Sequence, residues 1–170
     1  MSRKARNRMT KDTIPEGFSV PMALVDLIPV VFFGLSAVKA GSLFHSTLFM
    51  AGATVCLLSG IVKVGWKLIA AVSQRNIWPM FVQMRILMPI GFLTMLIALV
   101  VDRAGLNGEA VLAGLTGFPA CLFFLAGALG MILMLVFAFR MDSSDLKVNW
   151  MEQAVNSLAQ ICFFIGLLLA

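Results

Sequence analysis

Apolar residues fall along this chain in long blocks separated by short polar clusters. An α-helix needs ~20 mostly apolar residues to cross the hydrocarbon core of a bilayer. On that measure five spans are expected: 19–38 (after Pro15, Glu16 and Gly17), 43–72, 77–101, 111–139 and 148–169. The third is opened by Trp78-Pro79 and interrupted by Pro89. The uncharged stretch from Ala110 to Phe139 would run about 45 Å as one helix, beyond a hydrocarbon thickness of roughly 30 Å. A tilt, a kink at Pro119 or a separate outer piece would each absorb the excess. Ala113, Gly117, Ala120 and Gly127 share a face there, which suits close helix packing. A short polar loop holding Asp102, Arg103, Asn107, Gly108 and Glu109 precedes it.

Polar residues inside these blocks need a partner. Asn149, Gln153, Asn156 and Gln160 recur at spacings of 4, 3 and 4 in the last block. At about 100° per residue they fall within roughly 60° of one another. Amides are costly in hydrocarbon unless partnered, so the stripe should face a protein interior, a cavity or another subunit. The second block carries a matching small or polar face, with His45, Gly52, Cys56, Ser59, Lys63, Lys67, Ala70 and Gln74. Two such faces in a small bundle are expected to meet. Lys63 and Lys67 would then look toward Glu152, Asn156 and Gln160, unless the lysines snorkel to the headgroups.

Asp26 lies too deep in the first span for its short side chain to snorkel, and Pro29 three residues on frees a backbone carbonyl beside it. Its candidate partners are Lys63 and Arg85. Arg85 is always charged and, facing inward, would pair with Asp26 or Glu152. The candidate solute- or ion-binding set is therefore Asp26, Lys63, Arg85, Glu152, Asn156 and Gln160, with Lys67, Gln153 and Asn149 behind it. These come from four spans at comparable depth and imply a polar, partly hydrated cavity on the cytoplasmic side. Asp142-Ser143-Ser144-Asp145 reads as helix-capping chemistry rather than a metal site, and Asn149 with Glu152 resembles a capping box.

Composition agrees with the pattern. The 170 residues are 61% hydrophobic and 12% charged, with mean hydropathy +0.99. Soluble chains carry about 25% charged residues. A net charge of +5 could suggest nucleic acid, but the cations sit at span ends and not on an aromatic-interleaved face. Placing the N-terminus in the cytoplasm puts Arg3, Lys4, Arg6, Arg8, Lys11, Lys63, Lys67, Arg75, Arg85, Arg140 and Lys147 inside, leaving only Lys39 and Arg103 outside. The positive-inside rule then sets the C-terminus outside after five spans. Residues 1–18 form a basic cytoplasmic tail, and 19–170 one membrane domain. Val38-Lys39-Ala40 loosely resembles a signal-peptide cleavage site, but Asp26 and Pro29 inside the apolar stretch argue against cleavage.

Cys56, Cys121 and Cys162 are isolated, and His45 is the lone histidine. No disulfide, metal or cofactor is implied. Trp66, Trp78 and Trp150 read as interfacial anchors. The twelve methionines carry no assigned role.

The expected fold is an all-α integral membrane bundle in a bacterial-type plasma membrane. Intramembrane ionisable groups point to a small-solute or ion carrier, channel-type protein or transporter subunit. The alternative is a non-transporting assembly or regulatory protein whose amide stripe docks other helices, since interhelical amide bonds contribute about 0.6–2 kcal/mol each. A lipid-modifying enzyme comes third, because no catalytic motif is present. Expected partners are the lipid bilayer and a second copy or heteromeric membrane subunit.

Overall fold

The computed structural model describes residues 19–105, 108–141 and 146–170. The basic tail, Asn107 and the capping tetrad at 142–145 lie outside the described residues. The described residues form seven helices: α1 (Val20–Phe44), α2 (Thr47–Ser73), α3 (Trp78–Val82), α4 (Met84–Val101), α5 (Gly108–Thr116), α6 (Ala120–Arg140) and α7 (Leu146–Leu169), with a 3₁₀ turn at Arg103–Gly105. Among the described residues, five stretches are long and apolar enough to cross a membrane, the third being α3 and α4 together. The chain is a multi-pass helical membrane protein.

Local chemistry sets the helix ends. α1 carries Pro21 in its first turn, where no N–H is needed, and stops at His45 in the left-handed region (φ 49°), whose N–H bonds the Gly41 carbonyl. Ser46 caps α2: its hydroxyl accepts from the Phe49 N–H at 3.0 Å and donates to Asp102, at the C-terminus of α4. One serine thus closes the α1–α2 hairpin and ties the far ends of α2 and α4. Gln74, with φ 52°, ends α2 in the same way as His45.

One span differs from its expected outline. The overlong fourth block divides: α5 stops at Thr116, a cis Phe118–Pro119 peptide follows, and α6 alone is the spanning piece. The third keeps its expected outline: Gln83, between α3 and α4, stays in the right-handed helical region, and its N–H bonds the Pro79 carbonyl at 3.0 Å. Gln83 turns its amide into α2, donating to the Ser59 carbonyl and accepting from the Ser59 hydroxyl, both at 3.1 Å.

Packing order is the main architectural finding. α1 packs on α2 and on α7, α2 packs on α4, and α7 packs on α6. The helices therefore stand in the row α4–α2–α1–α7–α6, with no extensive packing between its two ends among the described residues. Glycines permit the two outer contacts. Gly52 and Gly91 cross backbone to backbone: a Cβ on Gly91 would lie 2.8 Å from the Gly52 carbonyl and collide with the Cys56 sulfur. In α6, Gly127 lies against the Phe163 ring and Gly130 against Ala159 of α7. Large apolar side chains such as Leu58, Ile61, Leu96, Leu125 and Leu158 are exposed, an inside-out arrangement suited to lipid. Trp66 corrects its expected anchoring role: it is 2% exposed, and its indole donates to Asn76 at 3.0 Å.

Candidate functional site

A row of helices that curves without closing leaves a concave side, and the site is there. All five spans line it. Two adjoining chambers of about 250 and 350 Å³ share Phe33, Phe92, Met131 and Gln160 as a common waist. The first adds Asp26, Lys63, Asn156 and a wall of Met88 and Met134; the second adds Ala40, Phe49, Phe163 and Leu167 and is almost wholly apolar. The Phe33 and Phe92 rings meet edge-on at 6.1 Å between α1 and α4. From Lys63 to Phe49 along α2 the cleft runs about 21 Å. It is polar at the basic end only.

That polar end is built around Asp26, which is 2% exposed. Lys67 Nζ lies 3.0 Å from its Oδ2 and Lys63 Nζ 3.6 Å from the same oxygen. The lysines are one turn apart on α2, so both reach one carboxylate on α1. Their roles differ: the Lys67 side chain is 7% exposed and held on Asp26, while Lys63 is 27% exposed and lines the cleft. Lys67 therefore does not snorkel, and it, rather than Lys63, is the closer partner.

The α7 stripe divides between two environments. Asn149 and Gln153 are buried; the Gln153 amide contacts Asn149 Oδ1 at 3.5 Å and reaches toward the Asp26 carboxylate. The Gln153 Oε1 and the Ser157 hydroxyl, a turn further on, have no hydrogen-bond partner among the described residues. Asn156 and Gln160 turn instead into the cleft. Among the described residues Gln160 Nε2 meets the Met131 thioether at 3.7 Å, a weak acceptor that leaves its donors available. Glu152 is half-buried and faces both lysines at longer range without a direct ion pair among the described residues.

Two expectations are corrected. Arg85 pairs with neither Asp26 nor Glu152: it is exposed, with its guanidinium 4.9 Å over the Phe81 ring. It lies one residue into α4 and does not line either chamber of the cleft. The polar faces of the second and last spans do not pack together either. They look at one another across the cleft, with α1 between them as its floor, while Gly52, Cys56 and Ser59 are spent on α4.

Sequence reasoning missed the Met and Phe walls, although methionine abundance was their signal. Flexible, polarizable thioethers suit a surface that adapts to variable apolar shapes. It also missed the Ser59–Gln83 pair. Among the described residues, no group of three or more His, Cys, Asp or Glu could hold a metal ion. No protein-family model matches the chain, and neither a curated protein nor a solved structure is similar to it. The cleft's own chemistry, charged and amide-lined at one end and apolar over the rest of its length, carries the functional argument.

Proposed function

We propose that this protein is a carrier, or the membrane subunit of one, for an amphiphilic molecule that it takes from the bilayer through the gap between α4 and α6. In this reading the basic end faces the cytoplasm across a plasma membrane, an orientation supported by the distribution of Lys and Arg. The supporting observation is the shape of the cleft: one polar end at Lys63, Asn156 and Gln160 continues into an apolar chamber that reaches Phe49 and Leu167. A water-soluble solute has no use for the second chamber. An acyl or isoprenoid chain fills it, and a length of about 21 Å exceeds one leaflet's half of a ~30 Å core.

Photolabelling in liposomes tests the reading. A phospholipid with a diazirine near its chain end should label Phe33, on the floor of the cleft, saturably with increasing mole fraction. Labelling of the lipid-facing Leu58 should rise without saturating. Floor labelling that is absent, or linear like that of Leu58, would refute amphiphile binding. Carriage is read separately from the exchange of a fluorescent short-chain phospholipid between leaflets: acceleration over protein-free liposomes supports it, and an unchanged rate removes it.

A further inference from the structure

The arrangement of the two lysines goes further than the shape of the cleft. We infer that the amphiphile's polar end is anionic, phosphate-like in chemistry, and that Lys63 is the cation that receives it. This deepens the reading above and rests on it. Asp26 faces two ammonium groups with one carboxylate. Lys67, shorter in distance and nearly closed off from the cleft, is sufficient to hold Asp26. Lys63 sits 3.6 Å from the same oxygen, lines the cleft and has room to move. Its four-carbon stem can carry the ammonium from Asp26 to an incoming headgroup without leaving the buried carboxylate unpaired.

The neighbouring groups favour the same charge. Asn156 and Gln160 line the polar chamber, each amide carries an N–H₂ that can donate to an anion, and among the described residues the Gln160 N–H₂ meets a thioether. A cationic headgroup would meet Lys63 before it met Asp26. Glu152, the other carboxylate near the lysines, does not line the cleft. An anion therefore finds one mobile cation and two amides, with Lys67 and Asp26 as a fixed pair behind them.

The test uses full-length protein with Trp66, Trp78 and Trp150 replaced by Phe and a reporter introduced as Phe33→Trp, in phosphatidylcholine nanodiscs. Chain-brominated phosphatidic acid is titrated and compared with chain-brominated phosphatidylcholine. Phosphatidic acid should quench the reporter at a mole fraction roughly tenfold lower (about 1.4 kcal/mol) than phosphatidylcholine. Lys63→Gln should abolish that preference and Lys63→Arg should keep it, both with unchanged thermal unfolding. Equal quenching by the two lipids in the unsubstituted background, or a preference that survives Lys63→Gln, overturns the headgroup assignment while leaving lipid entry intact. Quenching by neither lipid overturns the carrier reading itself. Glycerol 3-phosphate is the soluble arm: failure to relieve quenching at millimolar concentration fits a lipid-borne anion, and relief at micromolar concentration overturns the lipid source.

Discussion

Asp26 shows how a single residue can organise a membrane site. Its carboxylate cannot reach water from the interior of α1, so it persists as an ion only beside a lysine: Lys67 at 3.0 Å holds it, and Lys63 at 3.6 Å stands in reserve. Removing one member of a buried pair costs about 3–5 kcal/mol, because the other charge is left uncompensated. Asp26→Asn, which strands Lys67, should therefore lower stability in mild detergent by an amount in that range. Lys67→Met should cost less, since Lys63 can take over. The double variant should be better than the sum of the two by about 0.5–3 kcal/mol, the coupling of residues in one network. Denaturant unfolding of the full cycle checks this, and strict additivity would mean that the ion pair contributes nothing. That Asp26 needed a partner was legible in the sequence from its depth. Which lysine would serve was not, because Lys63 and Lys67 share a helix face and only the height of α1 against α2 distinguishes them.

Helix contacts at the scale of whole elements are set by where the chain has no side chain. α2 and α4 approach closely because Gly52 and Gly91 face each other, and Cys56 donates its thiol to the Met88 carbonyl at 3.7 Å alongside. Gly91→Ala should destabilise by about 1–3 kcal/mol, the usual cost of overpacking. Adding Cys56→Ala should restore only part of this, since it removes the clash with sulfur but not that with the Gly52 carbonyl. Gly65→Ala, where the nearest foreign atom would be the Met80 methyl at 3.6 Å, should be neutral or stabilising by up to about 1 kcal/mol. Thermal unfolding of the three variants checks the order, and equal losses at Gly65 and Gly91 would refute close approach. Here the sequence was informative about spans and weak about breaks. Hydropathy located all five crossings, because block length alone demands them. The division after Thr116 was legible only as one of several ways to absorb excess length, and the Ser59–Gln83 pair left no signal because periodicity does not say which amide a serine on another helix will meet.

Periodicity shows which face of a helix is polar, not which neighbour meets it, and the row α4–α2–α1–α7–α6 follows from neighbours alone. Its consequence for the whole molecule is that two helices distant in the row, α4 and α6, form opposite lips of one cleft, through Met88 and Phe92 on one side and Met131 and Met134 on the other. If this gap is the way in, joining its lips must close the site. The experiment replaces Cys56, Cys121 and Cys162 by Ala and introduces Met88→Cys and Met134→Cys. The pair is then bridged in liposomes with a short bis-methanethiosulfonate, which forms a reducible disulfide with each cysteine by displacing methanesulfinate. The expected product is an internally bridged monomer that photolabels at Phe33 several-fold less than the open form and recovers when the bridge is reduced. Bridges formed between chains instead would mean that a second copy covers the gap, and the amide-lined cleft would then read as a docking seam. Internal bridging without loss of floor labelling would place lipid entry elsewhere, with the basic end as the remaining opening. Lateral entry predicts closure that is reversible, confined to bridged molecules and matched in extent to the bridged fraction.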